Sequence, residues 1–271
     1  MKKTLIALAV AASAAVSGSA FAAASWTPGD FTGNFEMGGQ LTPPSQTGNP
    51  WSVAVGNKVS DLDATLEAGQ KEVTINASEN IGILGIHPTK NERFVGQTGI
   101  APQINYGDAV NIDSFANGIG DLSLSVKDQS TDQDIGTLTT KIFAGGVIAR
   151  YTPDDYGYGE AGVASSLYAS VAGKAFYGGV GKTEESIDHS SSGVVSKASA
   201  FFSDITDTYV PSPHGDGVWS EETFGPKPNY SFSGLYASGI HSGQAITITL
   251  KQALSEATGW KASLPITVSY Q

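Results

Sequence analysis

The sequence predicts an all-β protein with one insertion carrying short helices, and three observations lead there. Apolar residues recur at every second position in short runs along most of the 271-residue chain, the period of a strand with one buried face. Glycine occurs 33 times, charged residues make up only 15%, and Ser and Thr are abundant, a composition for short strands and tight turns rather than long helices. Between about 152 and 228 the alternation lapses, and Glu160 to Ala175 (EAGVASSLYASVAGKA) is rich in small, helix-compatible residues.

The first residues read as an export signal. Met1, Lys2 and Lys3 give a positive start, an apolar run continues from Leu5 to Val16, and Ala20-Phe21-Ala22 supplies an Ala-x-Ala pattern, so cleavage after Ala22 is expected. The run is shorter than the roughly twenty apolar residues that a spanning helix needs. Cleavage leaves 249 of the 271 residues, room for one large all-β domain or two small ones, and removes two lysines, taking the formal charge from −11 to −13. That acidity argues against nucleic acid and anionic membrane surfaces as partners, since both need basic patches. The chain has no cysteine. Thiol chemistry and cysteine metal sites are thereby excluded, and an exported protein must be held by its core or by partner contacts.

The most regular alternation is FTGNFEMGGQL. Phe31, Gly33, Phe35, Met37, Gly39 and Leu41 share one face, and Thr32, Asn34, Glu36, Gly38 and Gln40 share the other. Burying its four large apolar side chains contributes roughly 6 to 12 kcal/mol before ordering entropy. The strand therefore needs a groove, in its own chain or in another. Pro43-Pro44 through Asn49-Pro50 cannot continue a ladder, so the strand is easily detached from the rest of the chain.

Further strands are expected at Trp51, Val53 and Val55; at Val73 and Ile75; from Ile81 to Ile86; from Ile100 to Tyr106; from Val110 to Ile112; and at Leu122, Leu124 and Val126. Asp128 to Gly136 reads as a polar hairpin connection. Ile142 to Tyr151 is apolar on both faces, the mark of a central strand. Within the insertion, Val163, Leu167 and Val171 fall four apart, a helical stripe weakened by Gly162 and Gly173. Ser190 to Ser192 reads as a loop and Pro211 to Pro228 as irregular. Strands resume at Tyr230 to Ala237, Ala245 to Leu250 and Leu264 to Tyr270, the last with Leu264, Ile266, Val268 and Tyr270 on one face.

No catalytic constellation stands out. Gly157 to Gly162 fits G-x-G-x-x-G, but Thr152 to Tyr156 separates it from a strand, and its setting holds carboxylates that repel a pyrophosphate. Asp188-His189-Ser190 and His214-Gly215-Asp216 contain triad letters, yet triads are built by geometry across a fold. The four histidines are too scattered for a metal set, and Asp132, Asp134, Asp154 and Asp155 read as solvated turns. Asn76-Ala77-Ser78 is a sequon inside an expected strand and carries no meaning here. No enzyme activity, cofactor or metal is expected.

WTPGDFTGNFEMGG (Trp26 to Gly39), Phe176-Tyr177-Gly178-Gly179, Gly259-Trp260, the tail LPITVSY and the signal peptide together resemble the FaeG-type major fimbrial subunits of the chaperone/usher pathway in enterobacteria. The resemblance is strong at the N-terminus and loose from about Val180 to Ser231. It implies an immunoglobulin-like sandwich lacking its last strand, completed by a donor strand. Residues 23–42 would be the donor extension, carrying Phe31, Gly33, Phe35, Met37, Gly39 and Leu41, and 43–271 the pilin domain. An uncovered edge and groove would aggregate, so a neighbouring copy or a periplasmic chaperone must fill it. Leu264, Ile266, Val268 and Tyr270 would face that chaperone, and an outer-membrane usher would assemble the fimbria on the cell surface. The same resemblance implies a glycan site in the insertion that binds a host carbohydrate receptor. Tyr168 is the candidate aromatic platform and Glu184, Glu185, Ser186 and Asp188 the candidate polar partners, because sugars offer CH faces to rings and hydroxyls to carboxylates and amides. Tyr168 equally suits packing within the fold, and Phe176 and Tyr177 suit the core. Two other readings are an outer-membrane β-barrel, for which 152–228 supplies too few strands, and a minor pilin of the same pathway.

Overall fold

The structure, a computed structural model, describes residues 48–152, 161–212 and 214–271, all within the compact unit Ser45–Gln271. The expected signal peptide, the expected donor strand and most of the 157–162 motif lie outside the described residues. Among the described residues the fold is all-β with one short α-helix. In chain order the strands are β1 (Trp51–Val55), β2 (Glu72–Asn76), β3 (Ile81–Pro88), β4 (Phe94–Val95), β5 (Pro102–Asn105), β6 (Val110–Ala116) and β7 (Ile119–Asp128). They continue with β8 (Asp134–Thr152), β9 (Ala161–Leu167), helix α1 (Ser191–Phe201), β10 (His214–Asp216), β11 (Ser231–Ile240), β12 (Ala245–Leu250), β13 (Trp260–Ala262) and β14 (Thr267–Tyr270).

The 19-residue β8 organises the molecule. Its first half pairs antiparallel with β7 on one edge and β12 on the other, and its second half with β9 and β11. The partners change on both edges between Thr140 and Gly146, so one strand serves two sets of neighbours. Outward from there the path runs β11 to β3 to β1 and β12 to β2, and among the described residues it is open at both ends rather than closed as a barrel. β14 and β5 form a separate antiparallel pair.

The expectation that Ile142 to Tyr151 is central holds, and side-chain alternation explains why both faces are apolar. Ile142, Ala144 and Ile148 enter the main core with Leu84, Ile86, Phe176, Phe232 and Tyr236. Phe143, Val147, Ala149 and Tyr151 enter a second cluster with Leu235, Ala237 and the α1 residues Val194 and Ala198. The helix therefore caps one face of the sheet and the remaining strands fold over the other.

The helix is not where the sequence placed it. The Val163, Leu167, Val171 stripe belongs to β9 and the loop after it, because pairing of Ala161 to Leu167 with the far half of β8 outweighs the weak helical spacing. The Ser-rich stretch is instead a helix start: the Ser190 hydroxyl accepts the Gly193 amide at 3.0 Å, the usual N-cap contact. The final strand begins at Thr267 rather than Leu264, since Pro265 has no amide to give to a ladder.

The Phe176 to Gly179 segment is tied down by a buried hydroxyl cluster. Tyr106 Oη lies 2.9 Å from Tyr236 Oη and 2.8 Å from Ser238 Oγ, and Tyr236 donates to the Gly179 carbonyl at 3.0 Å. Gly178 sits at φ +80°, and a Cβ there would lie 2.0 Å from the Ile104 carbonyl oxygen.

Candidate functional site

Among the described residues, β1, β13 and β14 each leave an edge unpaired beside the main core. β1 pairs only with β3, and the segment of β13 and β14 pairs only with β7 and β5. Their ends meet. Asn49, just before β1, hydrogen-bonds the Tyr270 hydroxyl, whose pKa burial raises above its ordinary value. Trp51 Nε1 donates to the Ile100 carbonyl at 2.7 Å, and the adjacent Ala101 exchanges backbone bonds with Gln271.

The apolar row on β1 loses its cover away from that meeting point, and the row along β13 and β14 is only partly covered throughout. On β1, Trp51 is 5% exposed, yet Val53 and Val55, on the same face, are 43% and 65% exposed. Their register partners Ile86 and Leu84 are fully buried, so this is the inner face of the sheet and not its solvent side. Along β13 and β14, Trp260, Ala262, Leu264, Ile266, Val268 and Tyr270 are each half-buried against the main core, while every residue between them is exposed. The predicted one-sided row from Leu264 to Tyr270 is therefore present, and its covering is incomplete. Farther along, a cavity of about 100 Å³ opens between Leu66, Val73, Ile75, Ile135, Leu254 and Trp260. Free edges beside partly covered apolar rows are the kind of surface with which one more strand can pair.

The sugar-site candidates fall on two segments that meet at Trp219 and Ser220. Tyr168 is half-buried against the main core and its amide donates to the Ser220 carbonyl. Ser186 is buried, with its hydroxyl donating to the Thr183 carbonyl and accepting the Thr183 amide, so it is committed to a 3₁₀ turn (Glu184–Ser186). Asp188 is bound to Lys197 at 2.5 Å. Glu184 and Glu185 remain exposed; the Glu185 carboxyl is held below its ordinary range by its own backbone amide and by the Thr183 hydroxyl.

The fold adds two residues that the sequence did not place among the sugar-site candidates, Trp219 and His189, the latter considered there only as part of a triad-like run. The Trp219 indole N–H donates to the Glu184 carboxylate, and the His189 ring stacks on the indole with centroids 4.2 Å apart and planes 19° apart. His189 is exposed and Trp219 half-buried, so a surface aromatic pair stands beside a carboxylate. A lone tryptophan in the polar stretch GDGVWSEE was the available signal; nothing local ties it to residues some thirty positions earlier. Among the described residues, no cluster of His, Cys, Asp or Glu is arranged to hold a metal.

Comparison with known proteins points one way. The family described as "Fimbrial, major and minor subunit" matches residues 1–271. The F41 fimbrial protein of Escherichia coli is 32% identical, and the K88 fimbrial proteins AB and AC of the same species are each 30% identical, in every case over 100% of both chains.

Proposed function

Because the chain belongs to this family of major and minor fimbrial subunits, we propose that it polymerises by donor-strand exchange. Residues 31–41 of one copy fill the groove between β1 and the β13 and β14 edge of the next. The observation that carries this reading is the pair of unpaired edges over apolar rows that are only partly covered. The donor row of Phe31, Gly33, Phe35, Met37, Gly39 and Leu41 supplies the missing apolar face and both missing ladders. Its four large side chains contribute roughly 6 to 12 kcal/mol on burial, enough to hold a filament without a disulfide. Before assembly a periplasmic chaperone covers the same groove against Leu264, Ile266, Val268 and Tyr270, an outer-membrane usher exchanges it for a neighbour, and the non-enzymatic product is a surface fimbria.

The test compares the mature chain starting at Ala23 with a rearranged chain, in which the segment through Leu41 is moved behind Gln271. Thermal unfolding and light scattering are read without chaperone. A stable rearranged monomer beside a polymerising native order is expected. A stable native-order monomer with a rearranged chain that does not fold would sink the proposal.

The subunit is also the adhesin in this reading, binding host glycan at the insertion. The His189 and Trp219 stack with Glu184 supports it, offering an aromatic face and a carboxylate together. Trp219→Ala, and separately Tyr168→Ala, are expected to remove adhesion to host cells while fimbria yield stays unchanged. Adhesion unchanged in both variants would remove this cluster from the function.

A further inference from the structure

Arg150 brings a cation to the edge of the insertion without a counter-charge. It follows Ile148 by two positions on β8 and so shares its face of the sheet, with Phe232 of β11 and Val163 of β9 as register neighbours. Among the described residues only β10 lies beyond β9, and the Arg150 side chain is half-buried rather than enclosed. Its Nη2 donates to Ser165 Oγ at 3.3 Å and to Ser220 Oγ at 3.4 Å, both long for an N–H···O bond. Its Nε is buried and has no hydrogen-bond partner. Nε and Nη2 form one edge of the guanidinium plane, an edge that a carboxylate can take with both oxygens.

No carboxylate among the described residues pairs with this guanidinium. The two acidic residues that follow Ser220 are committed elsewhere, Glu221 to Lys174 at 3.4 Å and Glu222 to Lys227 at 2.7 Å. A cation drawn partly out of water is ordinarily matched by an acidic neighbour, and a buried N–H by an acceptor. Here both are wanting, and the groups at hand are donors. The two serine hydroxyls accept from Nη2 and keep their own hydrogens to give. Gly217 leaves Ser165 uncrowded, since a Cβ there would lie 3.2 Å from Ser165 Oγ and 3.1 Å from Val163 Cβ. Val163, 40% exposed, adds an apolar surface beside the charge. A planar anion with an apolar flank meets each of these groups, whereas a neutral ligand leaves the charge unanswered. Trp219 immediately precedes Ser220 in the chain. Resting on the reading that the insertion binds host glycan, we propose that Arg150, Ser165 and Ser220 hold the carboxylate of an acidic sugar.

Saturation-transfer NMR on assembled fimbriae tests it, with three probes: the methyl glycoside of N-acetylneuraminic acid, the methyl ester of that glycoside, and methyl galactoside 3-sulfate. Transfer to the acid is expected, with the ester, alike in shape but uncharged, and the tetrahedral sulfate both binding more weakly. Arg150→Met keeps the apolar stem, removes the charge and is expected to abolish transfer. Ser220→Ala serves if the methionine blocks assembly, and is expected to weaken binding about tenfold, the worth of one hydrogen bond to a charged group. No transfer to the acid in wild type, equal binding of acid and ester, tighter binding of the sulfate, or full retention in the variants would each overturn the proposal. Fimbriae that adhere to host cells without binding the acid would remove this site and leave the adhesin reading intact; fimbriae that bind the acid without adhering would do the reverse.

Discussion

Tyr106 anchors the hydroxyl cluster through which Tyr236 ties β11 to the Gly179 carbonyl. Burial pushes its hydroxyl up to about 12, against the opposing hydrogen bonds to Ser238 and Tyr236, and burial raises Tyr236 as well. A raised folded value means that the neutral form is the one the fold holds. The contribution is therefore complete below the unfolded value near 10 and is lost as pH climbs through about 12. Stability measured by chemical denaturation is expected to fall steeply above pH 10, and Tyr106→Phe to flatten that fall; an unchanged alkaline profile would contradict the assignment. At neutral pH, Tyr236→Phe leaves the Gly179 carbonyl without its donor and is expected to cost about 1 to 3 kcal/mol, read from the denaturant midpoint. Such contacts are not legible in the sequence. Tyr106 and Tyr236 are 130 positions apart, and an alternating pattern says only that a tyrosine faces inward. His189 and Trp219 are hidden for the same reason. Ser186 shows the converse, since a serine in a polar loop looks available for a ligand, and only the fold reveals its hydroxyl spent on Thr183.

At the scale of elements, most strands can be read because each buries one face or both. β1, β2 and β12 emerge where period two places them, and β8 where both faces are apolar. The insertion is less legible. β9 is made of small residues whose strand character comes from β8 beside it, and α1 carries only a shallow apolar stripe through Val194 and Ala198. Its start is nonetheless set by one local contact. Ser190→Ala is expected to cost about 1 kcal/mol, seen as a lower melting temperature, with Ser190→Asp restoring it. Gly178 is a stricter case. Gly178→Ala forces a side chain onto a left-handed backbone and into the Ile104 carbonyl, so loss of soluble subunit is expected. An alanine variant with wild-type melting would show that the loop is free to move off β5.

For the whole molecule, the proposed mechanism makes the final residues decide whether the subunit accumulates after export. Removing Leu264 to Gln271 takes away β14, leaves β5 without its antiparallel partner, and uncovers the apolar row that those residues share with the main core. Immunoblots of periplasmic extracts are expected to show no accumulation of the truncated subunit. A stable truncated subunit there would count against the role given to this strand. The long β8 has a different consequence, which concerns tension. A fimbria anchored to a cell in flowing liquid is stretched along its length. β8 is held by ladders on both edges through nearly its whole span, β7 and β12 at one end, β9 and β11 at the other. A load directed along such a strand strains its rungs in shear, many at a time, whereas a load across an edge would peel them singly. If the load in a filament runs along β8, the strand that serves both sets of neighbours is also the part that keeps each link from unravelling under drag.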